Sequence, residues 1–138
     1  MTRKAARELC MKLLFEMHIN QQYDINILNN YFEDEEVESL QREYIYNIIK
    51  NSINHIKEIN LLIEKYAIGW TLDRIANVDL AILQLALVEI LYNEEIPYNV
   101  SINEAVEIAK KYSGDNSPSF INGILGKFIK KEGIKKDD

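Results

Sequence analysis

The run "VDLAILQLALVEILY", residues 78–92, constrains the fold more than any other stretch of the 138-residue chain. Its polar residues are Asp79, Gln84 and Glu89. At 100° per residue, steps of five point these three in different directions. A helix that is apolar nearly all round is a buried helix. In a small domain it is the central element against which the others pack, unless part of it serves a partner protein.

The rest of the chain is patterned for the same class. Glycine and proline are few, valine and threonine are scarce, and apolar residues recur three to four apart, which predicts an all-α fold. Ala6, Leu9, Cys10, Leu13 and Met17 make one stripe of a first helix over residues 3–19, and Arg3 and Arg7 stack on another face. A short helix over 24–32, capped by Asp24, precedes an acidic turn holding Glu33, Asp34, Glu35, Glu36 and Glu38. Residues 36–66 read as one long helix or two in tandem. Their core candidates are Leu40, Tyr44, Ile48, Ile49, Ile53, Ile56, Ile59, Leu62 and Ile63. In "YAIGWTLDR", Gly69 can close that helix and Thr71 can start a new turn. This boundary divides an amino-terminal half, 1–68, from a carboxy-terminal half, 69–133, with a short basic tail over 134–138. Ser101 and Glu104 have capping-box spacing, Gly114 separates two helices, and Ser117 before Pro118 caps a last helix over 118–131. The expectation is a single domain of about seven helices in two packed bundles.

Composition narrows the function. No apolar run approaches the roughly 20 residues of a membrane span, and the amino terminus lacks the apolar core and cleavage site of a secretion signal. A cytoplasmic protein without membrane attachment is expected. Cys10 is the single cysteine, which suits a small core residue in a reducing compartment. His18 and His55 lie on different helices with no second ligand one turn away, so neither a metal site nor a cofactor is expected. No phosphate loop or nucleophile elbow is present, and the sequence does not read as an enzyme.

The net charge of −6 disfavours a generic nucleic-acid binder, but the charge is unevenly placed. Arg3, Lys4, Arg7 and Lys12 make the amino terminus basic, and five lysines from Lys127 onward do the same at the carboxy end. If the ends meet, they form one positive surface able to neutralise phosphates. In "SFINGILGKF", Phe120 offers a ring for stacking an unpaired base, and Asn122 an amide that donates and accepts hydrogen bonds. Gly123 and Gly126 interrupt that helix and each weakens it by roughly 1 kcal/mol, which suggests close approach of a neighbouring helix or of RNA backbone. A blander reading, with Phe120 in the core and the lysines on a solvated face, fits sequence physics equally well.

Three segments, "RKAARELCMKLLF", "WTLDRIANVDLAILQLALVEI" and "SINEAVEIAKKYSGDNSPSFINGILGKF", resemble the NusB family of bacterial transcription antitermination factors over nearly the whole chain. The same domain type opens a family of RNA cytosine methyltransferases; no second domain follows here, so the stand-alone factor is expected. The resemblance implies a helical protein that joins NusE, the small-subunit ribosomal protein ten. It further implies that the pair recognises single-stranded boxA RNA in ribosomal RNA leaders and modifies elongating RNA polymerase within an antitermination complex. By matching motif, Arg3, Lys4 and Arg7 would hold phosphates, and Phe120 and Asn122 would contact bases or sugars. Charge and neighbourhood add Arg74 and Lys127. Phe15 and Asp79 match positions where the family meets NusE. The chain departs from the family in an amino-terminal motif less rich in arginine, and in Leu80 and Gln84 where basic residues are usual. Modest RNA affinity without NusE follows. An apolar, partner-facing Leu80 would also suit a homodimer. The competing reading is a protein-protein adaptor that binds no RNA.

Overall fold

The structure, a computed structural model, describes residues 1–34, 37 and 39–134. The acidic side chains expected to form the turn at 33–38 and the tail lysines Lys135 and Lys136 fall outside what it describes. The described residues form six α-helices: α1 (Arg3–Asn20), α2 (Ile27–Asp34), α3 (Ser39–Tyr66), α4 (Asn77–Tyr92), α5 (Tyr98–Tyr112) and α6 (Ser117–Lys131). A 3-10 turn, Leu72–Arg74, is the seventh helical element.

Local chemistry accounts for most of the ends. Thr2 caps α1, its hydroxyl accepting the Ala5 amide at 3.0 Å. Gly69 follows α3 at φ +86°, a left-handed conformation that glycine adopts without strain. One long helix or two in tandem were expected at 36–66; over the described residues α3 is two helical stretches joined at a kink at His55, whose φ and ψ of −123° and 18° leave the helical region. Asp24 does not cap α2 directly; it accepts the Asn26 amide at 3.0 Å in a turn ahead of the helix.

α4 is central as expected, and packs against α1, α3, α5 and α6. Every residue from Asp79 to Ile90 is buried. Although the Gly69 boundary places α4 in the second half of the sequence, its neighbours α1 and α3 come from the first. One apolar core therefore runs from Ala6 to Phe128 across both halves. The buried polar residues of α4, Asp79, Gln84 and Glu89, are each met by side chains from neighbouring elements. Asp79 takes hydroxyls at the α5–α6 junction, Gln84 donates to Asn60 on α3 at 2.9 Å, and Glu89 takes donors from α1, α3 and α5.

That arrangement corrects several expectations. Leu80 is fully buried and faces no partner, and Gln84 is equally enclosed. Leu40 is 63% exposed rather than core. Ser101 is not a helix cap, because α5 starts earlier, at Tyr98 after Pro97, and the hydroxyl donates to Glu89 instead. Ser117 likewise turns inward to Asp79 while Asn116 occupies the cap position.

Candidate nucleic-acid interface

The amino-terminal basic residues have divided roles. Arg7 is only 6% exposed. Its Nε donates to both Glu89 oxygens at 3.0 and 3.2 Å, Nη2 donates to Oε1 at 3.0 Å, and Nη1 reaches Glu104 at 3.4 Å. Tyr44 and Ser101 donate to the same Glu89 carboxylate. Burial disfavours the Arg7 charge, but the hydrogen bonds and charge of Glu89 outweigh it and raise its pKa. Burial, reinforced by Glu89, also pushes the Tyr44 hydroxyl well above its usual range. The expectation that Arg7 holds RNA phosphates is thus corrected. The face of α1 that carries Arg3 and Arg7 lies against α3 and α4, where a cation must be paired. Arg3 is half-buried on that face, its Nε donating to Gln41 at 2.8 Å and its guanidinium lying 4.2 Å over the Tyr44 ring. Lys4 is exposed, 3.9 Å from Glu104.

The second group sits on α6. Ile121, Ile124, Leu125 and Phe128 bury one stripe of the helix, and Asn122 and Lys127 project from the solvent side. Phe120 is half-buried, its ring 5.6 Å from that of Trp70 in an edge-to-face contact. Gly123 and Gly126 are also on the exposed side, and a Cβ at either would meet nothing within 4 Å. Close helix packing is therefore not what leaves Gly126 bare. Gly126→Ala should raise stability by about 0.5–1 kcal/mol, seen as a Tm increase of a few degrees. A lowered Tm would reveal a neighbour that this geometry excludes.

The two groups do not meet. Arg7 anchors to Glu89 near the carboxy end of α4, and Ser117 anchors α6 to Asp79 near its amino end. Ten residues at 1.5 Å each separate those anchors by about 15 Å. Arg74 is exposed in the 3-10 turn, four residues after Trp70. Trp70 is a residue the sequence reading missed. The signal was present: a tryptophan beside Gly69 in a turn has no helical stripe to bury it.

Asp79 is 7% exposed and accepts from Ser113 at 2.6 Å and Ser117 at 3.0 Å. Its carboxylate fixes the turn into α6 instead of facing a partner. Phe15 is half-buried on α1 and packs at the margin of the core.

Between α1 and α5, Glu8 accepts from the Tyr112 hydroxyl at 2.6 Å and from Lys111 at 3.0 Å. The tyrosine bond, and then the lysine, hold its pKa below the usual glutamate value. A depressed carboxylate pKa contributes stability above the unfolded value of about 4.3, and that contribution disappears as pH falls through the folded value. Glu8→Gln should therefore cost about 1 kcal/mol at neutral pH and flatten the acid side of the stability profile. Urea unfolding at pH 7 and pH 3.5 measures both; an unchanged acid slope would remove Glu8 as a contributor.

No group of three His, Cys, Asp or Glu side chains suited to a metal occurs among the described residues. Nor is any helix among them long and apolar enough to cross a membrane. What the fold presents is an exposed polar side of α6 bordered by Phe120 and, apart from it, a buried ionic hub around Glu89. The NusB family model matches residues 4–130. The chain belongs to the NusB family.

Its similarity to members of the NusB family extends over the whole fold. The transcription antitermination protein NusB of Alkaliphilus oremlandii (strain OhILAs) is 51% identical over 97% of both chains. A solved structure of T. maritima NusB superposes with a TM-score of 0.86 at 33% identity, covering 95% of this chain and 92% of that one. A crystal structure of the antitermination factors NusB and NusE with double-stranded RNA shares the fold at a TM-score of 0.82 and 23% identity, covering 94% and 96%. The chain is thus a transcription antitermination factor of the NusB type, a family of regulators and not of enzymes.

Proposed function

We propose that the protein binds single-stranded, boxA-type RNA jointly with NusE and, with it, acts on elongating RNA polymerase during ribosomal RNA transcription. The observation that carries this reading is the solvent side of α6, where Asn122 presents an amide and Lys127 a cation, bordered by the half-buried ring of Phe120. Those three chemistries suit an unpaired nucleotide, which is recognised by stacking, edge hydrogen bonds and phosphate neutralisation. Family membership and a fold shared with a NusB–NusE–RNA complex support it. In this reading Arg3, Lys4 and Arg74 attract phosphates, Gly123 lets backbone approach beside Asn122, and Phe15 touches NusE. Arg7 and Asp79 act indirectly, by holding α1 and the start of α6 in place.

Fluorescence anisotropy with labelled boxA-type RNA and a scrambled control, with and without NusE, tests this. Preferential binding enhanced by NusE is expected, and the pair Lys4→Ala with Phe120→Ala should lose it while staying folded. About three phosphate contacts predict a log–log salt slope near −2, so a fourfold rise in salt weakens binding by roughly twentyfold. A wild-type chain that binds NusE but neither RNA would leave the adaptor reading in its place.

A further inference from the structure

We infer that Trp70 is a second aromatic contact for RNA, forming with Phe120 a corner that receives one unpaired base. This rests on the RNA-binding reading above. It concerns a residue that was not among the expected contacts.

Trp70 is 47% exposed, an unusual position for the largest apolar side chain in a protein of this size. Its place is built by its turn. Gly69 takes the left-handed conformation, and the Trp70 amide donates to Ala67 at 2.9 Å. Beyond it, the Thr71 hydroxyl bonds Asp73 at 2.6 Å, and the Leu72 amide donates to Glu64 on α3 at 3.0 Å. The indole is therefore presented on a turn braced from both sides, so ligand binding need order little. Its ring meets Phe120 at 67° and 5.6 Å between centroids. An edge-to-face pair covers one face of one ring, so the corner keeps open π surface where a flat ring can stack.

Three features favour a base over an aliphatic side chain as occupant. The open surface is aromatic and angular. Exposed Lys127 stands two helical turns beyond Phe120 on the same side of α6, where it supplies a cation along the strand. Exposed Arg74, four residues after Trp70, supplies a cation for the attached phosphate. The nearby carboxylate of Asp73 is engaged by Thr71, which holds its pKa below the ordinary aspartate value and keeps it tied to the turn. Ile68, 72% exposed and two residues before Trp70, is a neighbour that a protein partner would exploit.

Trp70 is the only tryptophan in the chain, so incorporated fluorotryptophan reports this corner alone, whatever a partner contains. The full-length protein is titrated with unlabelled boxA-type RNA, and separately with NusE, while fluorine NMR follows the single resonance and anisotropy follows binding. The expected result is a Trp70 shift that saturates with the RNA-binding curve. Trp70→Ala should weaken binding by about five- to thirtyfold at unchanged helicity, and Trp70→Phe should retain most of it. RNA binding with a static Trp70 resonance and a Trp70→Ala variant that binds like wild type would overturn the inference and leave the proposed function intact. A resonance that moves with NusE and not with RNA would assign the corner to the protein partner and overturn it too. Absence of RNA binding in anisotropy would remove both.

Discussion

Arg7→Ala should lower stability by about 3–5 kcal/mol, a large fraction of the roughly 5–15 kcal/mol that holds a domain together. The substitution removes the guanidinium that neutralises Glu89, a carboxylate 1% exposed at the meeting point of α1, α3, α4 and α5. Stranding a charge in that position costs far more than the lost contacts alone, because neither water nor a rotamer change can reach it. Urea unfolding monitored by circular dichroism measures the loss. The double variant Arg7→Met with Glu89→Gln separates the causes. It should recover much of the stability, since an amide asks less of its surroundings than a carboxylate. A single variant that loses less than about 1 kcal/mol yet binds RNA poorly would return Arg7 to the surface role expected from sequence. The experiment also matters for functional work: an Arg7 variant that fails to bind RNA reports unfolding before it reports recognition.

Phe128→Ala should cost about 3–5 kcal/mol, the usual range for emptying a buried phenyl site. Phe128 is 1% exposed and packs edge-on to Tyr66 with centroids 6.1 Å apart, tying the end of α6 to the end of α3. Tyr66 in turn donates to Glu132, which Lys65 also reaches at 3.0 Å, so the junction is closed from the outside. Because α6 carries Phe120, Asn122 and Lys127, loosening its far end should weaken RNA binding together with the Tm. Phe120→Ala, at a half-buried site on the same helix, should instead lose binding with a much smaller change in Tm. Thermal denaturation alongside anisotropy distinguishes the two patterns. Equal Tm losses for both variants would mean that Phe120 is a core residue after all, as the blander sequence reading held.

The legible parts of the protein are those set by neighbours along the chain. The all-α class follows from apolar residues three to four apart, and the end of α3 from a glycine that takes φ +86° with no steric cost. The centrality of α4 was readable because Asp79, Gln84 and Glu89 within it point three ways, which no amphipathic surface helix allows. The α6 face was readable too. Asn122 and Lys127 fall on the side left exposed by the buried stripe Ile121, Ile124, Leu125 and Phe128, and Phe120 stands half-buried at its edge.

The errors have a common origin. Arg7 carries the same chemistry as Lys4, and nothing within one turn of α1 says that it will meet Glu89, 82 positions away. Ser101 and Ser117 stand at spacings that cap helices, yet buried carboxylates on α4 claim both hydroxyls. A local capping bond contributes about 1 kcal/mol, while leaving Glu89 or Asp79 short of donors costs more, so the longer-range demand prevails. Gly126 shows the reverse case, a residue whose neighbours in space are simply absent.

By itself, then, the sequence determined the helices, their order and the helix that must lie at the centre, because periodicity and backbone preference act over a few residues. Only the tertiary structure decided which cations are exposed, which hydroxyls serve the interior, and that Trp70 stands beside Phe120. Those outcomes depend on what lies across a helix interface, and that is written in residues tens of positions apart.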